Sequence, residues 1–231
     1  MKHKSSSGAS RTRVVAAFAG SAADPGQFPR DGLPEVAFLG RSNVGKSSLL
    51  NALAGTHGLA RVSSAPGRTR LVNFFRVKGV ARPGGRGSFD LYLVDLPGYG
   101  YAKAARDVRE SFERIAVSYL AEREPLRLCV FIVDARHEPG DRDLALRAWL
   151  DHHGLAWGLV ANKVDALSRS DAQLRLRALE AGLGQGALFV LPVSAERRTG
   201  LDDLWNLIRA AASAEPSAAD SALVTRGPDG L

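Results

Sequence analysis

Cysteine is almost absent: Cys129 is the single thiol in 231 residues. It sits in the apolar stretch Leu126-Arg127-Leu128-Cys129-Val130-Phe131-Ile132-Val133. One thiol excludes a disulfide framework, and a cysteine inside an apolar strand reads as core packing. No apolar run approaches the roughly 20 residues that cross a bilayer as a helix. The stretch Met1-Lys2-His3-Lys4-Ser5-Ser6-Ser7-Gly8 is basic but has no apolar segment behind it, which argues against a secretory signal. The expected compartment is the cytoplasm, with no membrane insertion. There is no internal repeat. Zinc-ligand spacing is also missing: His137, His152 and His153 lie near or in a mixed-charge segment and read as surface residues. Acid is missing over one long stretch. From Gly58 to Phe89 the charged residues are Arg61, Arg68, Arg70, Arg76, Lys78, Arg82 and Arg86, without an Asp or Glu.

The whole chain carries a formal charge of +7. A polyanionic partner is one reading of the basic stretch, and a solvated basic face is the other. With 45% hydrophobic and 24% charged residues, the chain suits one globular domain with a sizeable core. Residues 1–12 and 214–231 are small and polar and read as disordered tails around a domain over 13–213.

The strongest signal is Gly40-Arg41-Ser42-Asn43-Val44-Gly45-Lys46-Ser47, a G-x-x-x-x-G-K-[ST] stretch. It follows the apolar run Val36-Ala37-Phe38-Leu39 and precedes Ser48-Leu49-Leu50-Asn51-Ala52-Leu53. Strand, loop and helix in that order form a phosphate-binding P-loop. Its glycines let backbone N–H groups turn towards an anion, and the helix N-terminus adds positive potential. Lys46 would reach the terminal phosphates and the Ser47 hydroxyl a magnesium ion.

Periodicity places strands over 35–39, 71–77, 89–95, 127–133, 155–161 and 187–192. Helices are expected over 46–54, 107–122, 141–152, 170–181 and 200–212. On the second of these Val108, Phe112, Ile115 and Tyr119 share a face. Residues 14–18 fit a short strand or a short helix. Arg82-Pro83-Gly84-Gly85-Arg86-Gly87 suits the tip of an antiparallel hairpin. The alternation predicts an α/β domain: a doubly wound, mainly parallel six-stranded sheet with one antiparallel edge strand and helices on both faces. Trp149, Trp157 and Trp205 read as core.

Three further motifs end predicted strands. Asp95-Leu96-Pro97-Gly98 places an acid beside the P-loop, where it can hold magnesium through water, and a glycine whose N–H can meet a terminal phosphate. Asn162-Lys163-Val164-Asp165 supplies a carboxylate that can accept both N1–H and N2–H of guanine, a donor pair adenine lacks. Val193-Ser194-Ala195 offers a small residue whose N–H can approach the guanine carbonyl. The set speaks against a small-molecule kinase.

Together these motifs resemble the translation-factor-related P-loop GTPases, and more narrowly the EngB family. The resemblance is carried by residues 33–53, Pro66-Gly67-Arg68-Thr69 and 95–102, and covers about 13–213. Asn162 departs from it, since the family more often has Thr there, and so does Ala195, often Ser. Neither change is expected to alter guanine recognition. The resemblance implies hydrolysis of GTP to GDP and phosphate with Mg2+. It implies nucleotide contacts from Gly40 through Ser48, from Gly67, Arg68, Thr69, Arg70 and Leu71, and from the motifs at 95–98, 162–165 and 193–195. Lys46, Thr69 and Gly98 would carry the chemistry. Ser47 and Thr69 would bind the metal directly, and Asp95 through water. Residues 57–69 and 98–106 would be the two switches. Thr69 also suits the geometry, because Thr56 lies at the far end of a helix leaving the phosphates and the following loop must return; Ser63 and Ser64 are weaker candidates. The resemblance further implies a monomer that acts on a precursor of the large (50S) ribosomal subunit, rRNA and ribosomal proteins included, and supports cell division and septation. A nucleotide-responsive scaffold for a division protein, with hydrolysis incidental, is the alternative.

Many GTPases place a water-orienting Gln directly after the glycine of the second motif. Here it is Tyr99, and a phenol cannot both accept from and donate to the attacking water as an amide does. Slow intrinsic hydrolysis is expected. Help would come from potassium (K+) at Asn43, or from Arg68 or Arg70 in cis. The plainer readings are that Asn43 only hydrogen-bonds the loop and that the arginines face solvent or a partner.

Overall fold

The computed structural model describes residues 13–56, 58–60, 71–80, 88–98 and 115–214. Its strands are β1 (Arg13–Ala22), β2 (Glu35–Gly40), β3 (Val72–Val80), β4 (Ser88–Asp95), β5 (Leu126–Asp134), β6 (Trp157–Asn162) and β7 (Val190–Val193). The helices are α1 (Lys46–Ala54), α2 (115–122), α3 (Asp141–His152), α4 (Arg169–Ala181) and α5 (Leu201–Ser213). None of them is long and apolar enough to cross a membrane. Both tails lie outside the described residues, apart from Ala214, as do Val108, Phe112 and the hairpin tip.

The strands form one sheet in the order β1-β3-β4-β2-β5-β6-β7. From β4 to β7 all neighbours are parallel, whereas β3 runs antiparallel to both β4 and β1. The hairpin β3–β4 is in register from Asn73↔Asp95 to Val80↔Ser88. Among the described residues the sheet therefore has seven strands, not six, and its outer strand is β1 rather than the strand over 71–77. The sequence of β1, Arg-Val-Val-Ala-Ala-Phe-Ala-Gly-Ser-Ala, lacks a clean alternation, so its state was open between helix and strand. Pairing along the full length of β3, with a register shift between Phe18 and Gly20, decides it.

Strands β2 and β6 are buried at every position, as expected of parallel strands covered on both faces. Alternate residues of β2 go to two cores. Val36 and Phe38 join Leu49 and Leu50 of α1 and Trp205 and Ile208 of α5. Ala37 and Leu39 join Phe74, Tyr119, Trp157 and Leu150 on the other face. Cys129 is fully buried here, and burial pushes its thiol up to about 12. Trp157 and Trp205 are core residues, while Trp149 packs at the core's margin and stacks on His153, ring centroids 3.8 Å apart.

At the start of β2, the buried Glu35 accepts from Tyr119 Oη at 2.7 Å and Arg123 Nε at 2.9 Å. The pairing compensates a carboxylate that could not otherwise be buried, and burial beside it drives the Tyr119 hydroxyl well above its ordinary pKa. This ties the end of α2 to the edge of the sheet opposite the motif residues.

Candidate functional site

Parallel pairing brings Gly40, Asp95, Asp134, Asn162 and Val193 to one edge of the sheet. The register shows it: Phe38 faces Asp95, Gly40 faces Ile132, and Asn162 lies between Asp134 and Val193. The chain order reverses at β2, which has β4 on one side and β5 on the other. In a doubly wound sheet such a switch point opens the crevice where ligands bind.

Residues 41–45 join β2 to α1. Gly45 has φ 93°, and a Cβ there would lie 2.4 Å from Asn162 Nδ2, so both the turn and the close approach require glycine. Asn43 also has a left-handed backbone, φ 70°, which Asn tolerates better than most residues. Gly45 gives α1 no side-chain cap, and its first turn holds no acid. The first amides and the positive end of α1 are thus available to an anion.

Lys46 and Asp95 are both buried and form an ion pair across 49 residues of sequence. Three residues on, Gly98 closes against the loop: a Cβ on it would meet Gly40 O, Ser42 N and Ser42 Oγ, each at 3.4 Å. Ser42 Oγ is buried and has no hydrogen-bond partner among the described residues, which leaves a donor for a ligand. Ser47, the second residue of α1, is half-buried. Its hydroxyl and the Asp95 carboxylate are hard oxygen donors of the kind magnesium takes alongside phosphate and water. Two such oxygens side by side with the P-loop fit an ion that shares its remaining ligands with a nucleotide.

The third motif is bonded to the first. Asn162 is 1% exposed. Its Nδ2 donates to Val44 O at 2.9 Å and its Oδ1 accepts from Ala195 N at 3.3 Å. One amide thus links the P-loop to the last strand–helix loop, which is itself closed by backbone bonds between Ser194 and Thr199. Lys163 has φ 65°, and its Nζ donates to Asn43 O at 2.6 Å. Asp165 is half-buried in the short turn Val164–Ala166. A hollow of about 340 Å³ adjoins these residues, lined among others by Arg41, Asn43, Asp134, Arg136 and Lys163. A larger one, about 610 Å³, lies between β1, α1 and α5 and touches none of the four motifs.

Two acids here escaped the sequence reading. Asp134 ends β5 and binds Lys163 Nζ at 2.9 Å and Arg136 Nη2 at 2.7 Å. Burial pushes its carboxyl up, but hydrogen bonds from Arg136 and Lys163 outweigh this and hold it below the usual carboxylate range. Asp143 caps Gly140 N at 2.8 Å and lies 3.7 Å from Arg41 Nη1, tying α3 to the P-loop. The signal for Asp134 was present, since it closes an apolar strand as Asp95 does.

Gly67, Arg68, Thr69, Arg70 and Tyr99 lie outside the described residues, as does most of both switch stretches. Leu71 is exposed, and so is Ser48. The histidines at 137, 152 and 153 are exposed. In the basic stretch, Arg76 is not a free cation: it grips Asp90 across the hairpin at 2.8 and 2.9 Å, and Lys78 lies 3.5 Å from the same carboxylate.

Residues 35–163 match the family model described as 50S ribosome-binding GTPase. A probable GTP-binding protein EngB of Anaeromyxobacter sp. (strain K) is 45% identical over 208 residues, covering 90% of this chain and 96% of that protein. Its counterpart in Solibacter usitatus is 43% identical over 195 residues, 84% and 95% of the two chains. Among solved structures, a probable GTP-binding protein engB superposes with a TM-score of 0.58 at 21% identity, over 77% of this chain and 98% of that one. Era in complex with MgGDPNP and nucleotides of 16S ribosomal RNA gives 0.62 at 27% identity, over 80% and 58%.

Proposed function

Because the chain belongs to the EngB family of GTP-binding proteins and is a GTPase, we propose that it works as a slow, magnesium-dependent switch in assembly of the large ribosomal subunit. The observation that carries the switch reading is the bonding of distant motifs into one site: Lys46 to Asp95, Asn162 to Val44 and Lys163 to Asn43. Such a site senses base and phosphates together.

In this reading Asp165 reads the guanine edge, the stem of Lys163 flanks the base, and Ala195 N approaches the carbonyl. Gly40 to Ser48 cradle the phosphates, with Lys46 on the terminal ones and Gly98 N–H against the third. Ser47 and Thr69, with Asp95 through water, would hold magnesium, which offsets charge on the transferring phosphoryl group. Thr69 and Gly98 lie in the two switches at 57–69 and 98–106. Tyr99 leaves the attacking water without an amide to orient it, so turnover is slow. The domain extends over 13–213, acts as a monomer in the cytoplasm, and supports cell division through ribosome supply.

The 50S ribosome-binding description of the matching model supports the ribosomal partner. The basic stretch supports it less than its composition suggests, because Asp90 engages Arg76 and Lys78. The test is sedimentation with large-subunit precursors in GTP and in GDP. Enrichment in one nucleotide state is expected. Arg76→Glu, Arg82→Glu and Arg86→Glu together should weaken it and flatten its salt dependence. Equal absence from precursors in both states would favour the division-protein scaffold.

A further inference from the structure

The geometry points to Asp134 as a positioning residue of the nucleotide site, which holds the Lys163 ammonium over the P-loop and so sets how long nucleotide is retained. The inference rests on the reading that Lys163 flanks the guanine.

Lysine has a flexible four-carbon stem and a point charge, so it rarely holds one geometry without help. Here it is fixed from three directions. Its left-handed backbone, φ 65°, turns the side chain back across the loop. Its Nζ meets Asn43 O at 2.6 Å and Asp134 Oδ2 at 2.9 Å. Of these two acceptors only Asp134 is charged, and a charge-assisted bond is about twice as strong as a neutral one.

Asp134 is itself fixed. Its side chain is 10% exposed, and Arg136 holds both oxygens, with Nε at 2.9 Å, Nη2 at 2.7 Å and its backbone N at 3.1 Å. The carboxylate is thereby kept ionised and in one rotamer. Without it the acids lining the hollow would be Glu138 and Asp143 against Arg41, Arg136 and Lys163, and of its two acceptors Lys163 Nζ would keep only the neutral Asn43 O. The far end of the chain of contacts is Asn43 O, at the left-handed crest of the P-loop. Arg136, Asp134, Lys163 and Asn43 thus connect the base side of the site to the phosphate side. Both GDP and GTP use those two sides, so the contribution should be common to both.

The test uses the full chain and the release of methylanthraniloyl-labelled GDP measured by stopped flow. Asp134→Ala should speed release about tenfold, the loss expected for one charge-assisted hydrogen bond. Asp134→Asn, which keeps an acceptor but no charge, should do so by about threefold. The affinities for GDP and GTP should fall by the same factor, and in turnover the loss should appear in KM rather than kcat. On a Lys163→Ala background, Asp134→Ala should add less than about twofold, since nothing remains to be positioned. Release at the parent rate in both Asp134 variants, with Lys163→Ala impaired, would overturn the proposal alone. So would an equal effect of Asp134→Ala on both backgrounds. An unimpaired Lys163→Ala would overturn the base-site reading and the proposal with it.

Discussion

Replacing Asn162 probes the amide that joins the P-loop to the loop after β7. The residue is 1% exposed and makes two bonds, to Val44 O at 2.9 Å and from Ala195 N at 3.3 Å. Asn162→Ala removes both and opens a cavity against Gly45. A neutral hydrogen bond contributes about 1 kcal/mol net, and a buried partner left unpaired costs about 1–3 kcal/mol. Ala195 N at 3.3 Å is the weaker of the two, and its half-buried loop can relax towards water. The expected total is therefore about 2–3 kcal/mol. For a domain of this size that is a fall in Tm of roughly 5–10 °C. Asn162→Thr, the commoner residue in the family this sequence resembles, keeps a donor and an acceptor on a shorter arm and should cost about 1 kcal/mol. The measurement is urea denaturation of the nucleotide-free chain, with the slope checked for constancy. Guanine over adenine preference should survive in both variants, because the amide touches protein while the proposed reader of the base is Asp165. An Ala variant as stable as the parent would refute the bridging role. An Ala variant that loses base preference would refute the division of labour between Asn162 and Asp165.

Asp165→Asn should abolish the preference for guanine over adenine nucleotides in competition binding, since an amide cannot accept both N1–H and N2–H; intact preference would contradict the assignment. The depressed carboxyl of Asp134 gives a pH signature. A group whose pKa is lowered on folding stabilises above its ordinary pKa and loses that contribution as pH falls below it. The stability gap between the parent and Asp134→Asn should therefore be constant at neutral pH and shrink below about pH 4, read by denaturation across that range; a constant gap would mean Asp134 is not held down by Arg136 and Lys163. GTP hydrolysis should be faster in potassium than in sodium if the Asn43 side chain is a cation ligand, and Asn43→Ala should remove the difference. Equal rates in both salts would leave that side chain with only a loop role.

The motifs at 40–47, 95–98 and 162–165 were legible because a P-loop site is built from short stretches at the ends of apolar strands, and both parts leave local marks. The helices over 46–54 and 141–152 appear where their periodicity put them. Strand β1 was not legible, because an Ala-rich edge strand draws its state from its partner β3 rather than from its own pattern. The pairing of Arg76 and Lys78 in the basic stretch was not legible for a related reason. Its count of arginines stopped at Phe89, and the next residue, Asp90, is the one that hairpin pairing sets against Lys78 and Arg76.

By itself the sequence determined the family, that of GTP-binding proteins, and it supplied the groups for the proposed ligand: a glycine-rich loop for phosphate, hydroxyl and carboxylate for magnesium, and an acid for guanine. These follow from residue type and local order, and need no knowledge of neighbours. Only the tertiary structure decided how the pieces hold one another. Asp134, Arg136 and Asp143 carry no motif, and they become part of the site because parallel strands end at one edge of the sheet. Asn162 and Lys163 were read as contacts to the nucleotide. The fold also makes them braces of the P-loop, since they return from 118 and 120 positions further along the chain to within hydrogen-bond distance of Val44 and Asn43. That distance is set by register and packing, which no local pattern of residues encodes.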